Sequence, residues 1–127
     1  MGWRIQDRAT FEALRRSRHR GRRGHITVTF VAVGDDSRPR VAYAVGRRLG
    51  GAVERNRLRR RLRSAVSVIE SEAGLSPGAY LVAPGRETSK MEYEELVSTV
   101  HKAIRRVQGE NARRLGAESD RSATHRT

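Results

Sequence analysis

Hydrophobic and polar residues alternate along "HITVTFVAV", residues 25–33, and this period of two predicts a β-strand. Two further short apolar segments, 40–46 and 79–83, predict strands as well. The segment 34–39 is rich in glycine, aspartate, serine and proline, which favour turns. We therefore expect the first two strands to form an antiparallel hairpin.

From residue 51 the apolar positions recur every three to four residues, which predicts an amphipathic helix over 52–70. The apolar stripe of this helix spans about 100° of arc and consists of Leu58, Leu62, Ala65, Val66 and Ile69. The opposite side is polar and basic, with Asn56, Arg57, Arg60 and Arg63. Arg55, Arg59 and Arg61 flank the stripe. The pattern predicts one buried face and one basic ridge.

Helices are also predicted near both ends of the chain. The first is short, ends near Arg16 and has Phe11 and Leu14 on one side. For the last helix, Ser89 and Glu92 have the spacing of a capping box. Its predicted inner face consists of Tyr93, Leu96, Val97, Val100, Ile104 and Val107.

These elements predict a single α+β domain over residues 1–107 in the order αββαβα. Residues 108–127 have no sustained apolar pattern, so we expect a disordered tail there. The strand 40–46, the helix 52–70 and the strand 79–83 form a strand–helix–strand unit, which normally joins parallel strands.

The charge of the chain indicates a polyanionic partner. The 127 residues contain 27 basic and 14 acidic residues, a formal net charge of +13. Such self-repulsion is usually tolerated when the partner is nucleic acid, and the arginine fork binds phosphate with two hydrogen bonds. The segment 15–24, "RRSRHRGRRG", is either a solvated loop or a flexible phosphate-binding segment, and the charge favours the second.

Signs of a self-sufficient enzyme are absent from the sequence. It has no phosphate-binding loop motif, no nucleophile elbow, no paired-carboxylate motif and no histidine pair with metal-ligand spacing. It also has no cysteine, which excludes disulfides and fits a reducing cytoplasm. No apolar segment is long enough to span a membrane. We expect no metal site and no catalytic side chain in the protein itself.

The string "VGRRLGGAVERNRLRRRLR", residues 45–63, resembles the signature of the bacterial ribonuclease P protein subunit. In that family a strand ends in small and basic residues, a glycine-containing turn follows, and Ala-Val-x-Arg-Asn-Arg opens a helix, here Ala52 to Arg57. The order of elements is similar over about residues 4–107. Two departures are Gly51, where many members have asparagine, and Arg15, where a second aromatic residue is common.

The resemblance implies the ribonuclease P protein fold, which is similar to a domain of a small-subunit ribosomal protein. It also implies a left-handed crossover around the helix 52–70, although such connections are right-handed in about 98% of proteins. It further implies that a catalytic RNA subunit, with its Mg²⁺ ions, removes the 5′ leader of precursor tRNA. The protein, a monomer outside the ribonucleoprotein, binds both RNAs.

By this resemblance the RNA subunit is expected to bind seven arginines and one asparagine around the helix start, namely Arg47, Arg48, Arg55, Asn56, Arg57, Arg60, Arg61 and Arg63. The leader is expected to bind Phe11, Arg15, Arg18, Thr27 and Thr29, because a single strand is held by charge and stacking. The alternative is a ribosome-associated or structural RNA-binding protein with no processing role. A DNA-binding helix-turn-helix is disfavoured, because the basic helix lies between strands.

Overall fold

A mixed β-sheet with helices on both faces forms the protein. The structure, a computed structural model, describes the backbone of residues 3–4, 8–32 and 38–126, and side chains within 8–32 and 38–109. The elements are β1 (Trp3–Arg4), α1 (Arg8–Arg16), β2 (Arg20–Arg23), β3 (Ile26–Val31), β4 (Pro39–Tyr43), α2 (Ala52–Glu72), β5 (Gly78–Pro84) and α3 (Tyr93–Arg126). Short 3-10 helices at Arg47–Leu49 and Arg86–Lys90 precede α2 and α3.

The strand order in the sheet is β1-β4-β5-β3-β2. The predicted hairpin between the strands at 25–33 and 40–46 is therefore wrong, because β5 lies between them. β5 pairs antiparallel with β3 and parallel with β4. Alternation of apolar and polar residues predicts that a segment is a strand, but it does not show which strand lies beside it. β5 is the central strand of the sheet, and its residues are all buried or half-buried because a central strand is covered on both faces.

The hairpin that does form joins β2 to β3. The sequence predicts a flexible phosphate-binding segment over 15–24, yet Arg20–Arg23 form the edge strand β2, paired antiparallel with β3. A two-residue turn connects the strands, and Gly24 in this turn takes a φ of 57°, a left-handed value that favours glycine. Before β2, the Ser17 hydroxyl donates to the Phe30 carbonyl at 2.6 Å. The second half of this arginine-rich segment is thus ordered by pairing with β3.

The main core lies between one face of the sheet and the helices α2 and α3. The predicted stripe on α2 is confirmed, because its five apolar residues are the buried residues of that helix. All of them except Ala65 belong to one cluster with Ile26, Val28 and Phe30 of β3 and with Tyr80 and Val82 of β5. α1 covers part of the opposite face, where Leu14 packs on Ala79. The α+β class is confirmed, with β1 and β2 added to the predicted elements.

The strand–helix–strand unit is also confirmed, since α2 connects the parallel neighbours β4 and β5. The left-handed sense of this connection stays a prediction. Before α2 the chain turns at Gly50, which takes a φ of 123°, and Gly51 is the N-cap residue of the helix. Glycine suits both positions, the first for its backbone conformation and the second as a tolerated N-cap.

The last helix begins at Tyr93, so the predicted capping box is wrong. Ser89 lies in the preceding 3-10 helix, where its hydroxyl contacts the Arg86 carbonyl at 3.4 Å. Of the predicted inner face, Leu96, Val100, Ile104 and Val107 are buried, Val97 is half-buried and Tyr93 is 39% exposed. The helical backbone continues to Arg126, beyond the end predicted near residue 107. Local preference accounts for this, because alanine, arginine and glutamate, which favour helix without a core face, make up nine of the twenty residues from 108 to 127.

No helix in the described part of the chain is both long and apolar enough to cross a membrane.

Candidate nucleic-acid interface

The solvent-facing side of α2 is a row of unburied cationic side chains. Arg57, Arg60 and Arg63 are exposed, as the helical period predicts. They recur every three residues, so they stand above one another along the helix axis. The side chain of Asn56 also lies on this side, and its Oδ1 accepts a hydrogen bond from Arg59 Nη1 at 3.0 Å. We call Arg57, Arg60 and Arg63 the α2 ridge.

The basic surface extends beyond the N-terminus of α2. Arg47 and Arg48 lie in the 3-10 helix just before α2, and both side chains are exposed. The free backbone N–H groups and the dipole of a helix N-terminus favour anions, so this end of α2 and its arginines suit phosphate. Val53, in the first turn of α2, is 80% exposed and does not belong to the core.

Three arginines that flank the apolar stripe are less available than the α2 ridge. Arg59 Nη2 donates to the Val45 carbonyl at 3.3 Å. Arg61 Nη1 donates to the Ser89 carbonyl at 3.3 Å, and its Nη2 donates to the Met91 carbonyl. Arg55 Nε is buried without a hydrogen-bond partner. Arg59 and Arg61 therefore hold α2 to neighbouring loops with charge-assisted hydrogen bonds.

A second candidate surface is the sheet face on the α1 side. On this face β3 places Thr27 opposite Ala83, and Thr29 opposite Leu81 of β5. Thr27 is half-buried, whereas Thr29 is 5% exposed. A ligand on this face can therefore reach Thr27 but little of Thr29. At the side of the surface, α1 carries Phe11, which is 36% exposed.

Basic residues surround this surface, which we call the sheet groove. The predicted residues Arg15 and Arg18 are exposed at the end of α1 and just after it. Sequence reasoning missed Arg20 and Arg22, which pair directly with Thr29 and Thr27. Residues directly opposite in antiparallel strands project from the same face. The alternation Arg-Gly-Arg before a Gly-His turn was the signal that would have identified them.

Two tyrosines have raised pKa values because they are largely removed from water. Burial raises the pKa of Tyr43 to about 12, and Glu70 adds to this, whereas the positive charge of Arg63 opposes it. Burial also raises the pKa of Tyr80, against hydrogen bonds from Gln108 and to Ser76. Both phenols are therefore neutral at physiological pH. Among the described residues, no three His, Cys, Asp or Glu side chains cluster as metal ligands would.

A cleft of about 150 Å³ lies beside the α2 ridge, between α2 and the 3-10 helix before α3. Its walls are Glu54, Arg57, Leu58, Arg61 and Ser89. In this cleft the basic surface also includes the carboxylate of Glu54.

Comparison with known proteins shows which family the chain resembles. A sequence model of the family described as Ribonuclease P matches residues 2–108. The ribonuclease P protein component of Thermobifida fusca is 32% identical over 135 residues, covering 98% of this chain and 90% of that protein. The ribonuclease P protein component of Gluconacetobacter diazotrophicus is 43% identical over 74 residues, or 57% of this chain and 63% of that protein.

Solved structures share the fold. The RNase P protein of Staphylococcus aureus superposes with a TM-score of 0.71 at 18% identity, over 83% of this chain and 94% of that one. The RNase P protein of Thermotoga maritima superposes with a TM-score of 0.67 at 21% identity, over 81% of this chain and 96% of that one.

Proposed function

The chain belongs to the ribonuclease P protein family, and on that premise we propose that it binds a catalytic RNA subunit and the 5′ leader of precursor tRNA. As a member of this family it is an RNA-binding protein that takes part in tRNA processing. The observation that carries the finer proposal is the α2 ridge, whose three arginines are exposed and lie at the end of the segment that resembles the family signature. The proposed compartment is the cytoplasm.

The RNA subunit binds the α2 ridge together with Arg47 and Arg48. These side chains are exposed, so they reach phosphates without breaking a contact inside the protein. Arg55 and Arg61 are half-buried, so in this proposal they are less accessible to phosphate than the α2 ridge. The Arg61 guanidinium group already donates to two carbonyls and so positions α2 for binding. Asn56 contributes through its amide nitrogen, since its oxygen accepts from Arg59.

The leader lies in the sheet groove. A single strand has no fixed shape, so a charged groove with a stacking side chain holds it with little dependence on sequence. Phe11 supplies the stacking surface, and Arg15 and Arg18 bind phosphates, joined by Arg20 and Arg22 from β2. Arg15 stands where a second aromatic residue is common in the family, so charge replaces part of the stacking. Thr27 lies on the floor of the groove.

The hydrolysis of the phosphodiester belongs to the RNA subunit and its Mg²⁺ ions in this proposal. When bound to that RNA, such ions would supply an activated water and charge stabilisation at the leaving oxygen. The protein side chains bind and orient the two RNAs, so in this proposal the protein contributes affinity and alignment.

The test is reconstitution with a ribonuclease P RNA and precursor tRNA. We expect the variant Arg57→Ala/Arg60→Ala/Arg63→Ala to bind the RNA subunit more weakly. A plot of the logarithm of its binding constant against the logarithm of the salt concentration should have a slope smaller in magnitude by roughly 2–3, because each of the three lost phosphate contacts contributes about 0.7–0.9 to that slope. The matched control replaces the exposed residues Arg86, Lys102 and Arg105 with alanine, which removes the same amount of positive charge.

The two variants separate local contact from net charge. The control should keep most of the wild-type slope and the wild-type rate of 5′ maturation. Equal slopes for the two variants would remove the α2 ridge from the interface. Wild-type protein that fails to stimulate 5′ maturation, yet binds ribosomes, would favour the structural alternative.

A further inference from the structure

The cleft beside the α2 ridge combines charges of both signs without pairing them. Neither the Glu54 nor the Arg57 side chain makes a hydrogen bond or an ion pair within the described part of the chain. The Glu54 side chain lines the cleft, and its carboxylate reaches over Gly50, where a Cβ atom would collide with Glu54 Oε2. Because no described side chain donates to it, the carboxylate keeps its oxygen lone pairs for a ligand.

The remaining walls make the cleft rigid and partly apolar. Arg61 is held by the carbonyls of Ser89 and Met91, so its guanidinium group has a fixed place. Leu58 is 2% exposed and provides an apolar base. The cleft has a volume of about 150 Å³, the size of a cavity that holds benzene. Because the cleft is partly open to solvent, it suits the polar edge of a larger flat base whose remaining part stays outside.

The donor and acceptor pattern of the cleft selects among the four RNA bases. An ionised carboxylate only accepts hydrogen bonds. On its Watson–Crick edge guanine presents two adjacent donors, N1–H and the 2-amino group. Adenine and cytosine each present one donor beside an acceptor, and uracil presents one donor between two acceptors. Only guanine therefore donates to both carboxylate oxygens at once.

We propose that this cleft binds the Watson–Crick edge of an unpaired guanine in the RNA that the α2 ridge holds. The inference rests on the proposed function for the presence of RNA at this surface. Glu54 accepts the two guanine donors, and Arg57, free of other partners, closes over the base or its phosphate. Stacking on guanidinium planes and hydrogen bonding to exposed edges is the usual way in which proteins read unpaired RNA bases.

The guanine contact gives the interface a register. Contacts from arginine to phosphate fix a protein on RNA but carry no base information. One base-specific contact beside the α2 ridge selects a single unpaired position among many equivalent phosphates.

The experiment measures fluorescence anisotropy of the full chain with labelled pentaribonucleotides that differ only in the central base. The probes are UUGUU, UUAUU, UUUUU and UUIUU, in which inosine lacks the 2-amino donor. We expect UUGUU to bind about fivefold more tightly than the others, the lower end for a bidentate base contact because the cleft is open. Equal binding of all four probes would overturn the proposal and indicate phosphate binding only.

The variant Glu54→Gln gives a sharper readout. The glutamine amide offers one acceptor and one donor, which match adenine, so the preference for UUGUU should disappear and shift toward UUAUU. The matched control Glu72→Gln removes the same charge at the exposed end of α2 and should keep the guanine preference. A guanine preference that persists in Glu54→Gln would refute the assignment. Circular dichroism confirms that both variants are folded.

The outcomes do not depend on reconstitution. Loss of base preference with normal binding of the RNA subunit would reject only the cleft. Failure to bind the RNA subunit with an intact guanine preference would reject the proposed function instead.

Discussion

The edge strand β2 is pressed so closely against α3 that it requires glycine at position 21. A Cβ atom on Gly21 would lie 2.5 Å from the Ala103 carbonyl oxygen and 2.9 Å from the Val107 nitrogen. Both are backbone atoms inside a helix, so neither can rotate away as a side chain does. In Gly21→Ala, α3 would have to retreat by nearly an ångström, or β2 would have to leave β3.

The expected cost follows from the contacts that would be lost. Ala103 and Val107 are fully buried, and displacing α3 loosens their packing on the sheet. Overpacking of this kind costs about 1–3 kcal/mol, and we expect the upper part of the range because the obstruction is backbone. Replacing glycine in a strand returns roughly 0.5–1 kcal/mol. The net prediction is a loss of about 2 kcal/mol in the free energy of unfolding.

Urea unfolding followed by far-ultraviolet circular dichroism measures this loss. The matched control is Gly46→Ala, because a Cβ atom there meets nothing within 4 Å and Gly46 has a φ of −84°. It should stay within about 0.5 kcal/mol of the wild type. Hydrogen exchange then distinguishes a shifted α3 from a released β2, since only the second exposes the β2–β3 amides. Equal midpoints for the two variants would show that β2 does not pack on α3 as described.

Three other measurements test the core, the titration and the division of labour. Leu62→Ala should cost about 2–5 kcal/mol, because Leu62 is fully buried, whereas Arg60→Ala should cost little, and matching midpoints would mean that the phase of α2 is wrong. The pKa of Tyr43 is raised from 10.0 to about 12 in the folded state, so its phenol stays neutral above pH 10 only when the protein is folded. The stability that Tyr43 contributes is therefore complete below pH 10 and is lost as pH rises toward 12. Tyr43→Phe should reduce this alkaline loss of stability, as measured by thermal melting at a series of pH values. The protein with Mg²⁺ but without the RNA subunit should not cleave precursor tRNA, and metal-dependent cleavage at the mature 5′ end would contradict the proposal.

The periodic helix was predictable from the sequence, while the strand partners were not. The stripe from Leu58 to Ile69 repeats over three turns, and burial of that stripe decides both the place and the phase of α2. β2 has no such pattern, since three of its four residues are arginines. Its position depends on pairing with β3 and on the distant contact of Gly21 with α3, which no local pattern contains.

The candidate site, too, was only partly predictable from the sequence. The exposure of Arg57, Arg60 and Arg63 follows directly from the helical period. Arg61 looks equivalent along the sequence, but the fold brings the carbonyls of Ser89 and Met91 to its guanidinium group. The burial of Thr29 likewise depends on the neighbouring strands, which place it between Arg20 of β2 and Leu81 of β5.

The central place of β5 determines when the sheet can be completed during synthesis. The register pairs Ile26 of β3 with Pro84 and Pro39 of β4 with Gly78. Neither β3 nor β4 can therefore pair with β5 until the ribosome has synthesised this later strand. Until then the β2–β3 hairpin is the only pairing of these strands that neighbours in sequence can form, and an isolated hairpin is marginally stable. Folding through such distant contacts is slow, because loop closure must precede any gain from pairing. A nascent chain that stops short of residue 78 therefore exposes two unjoined strand edges, and arginines on β2 and β4 discourage their association with other chains.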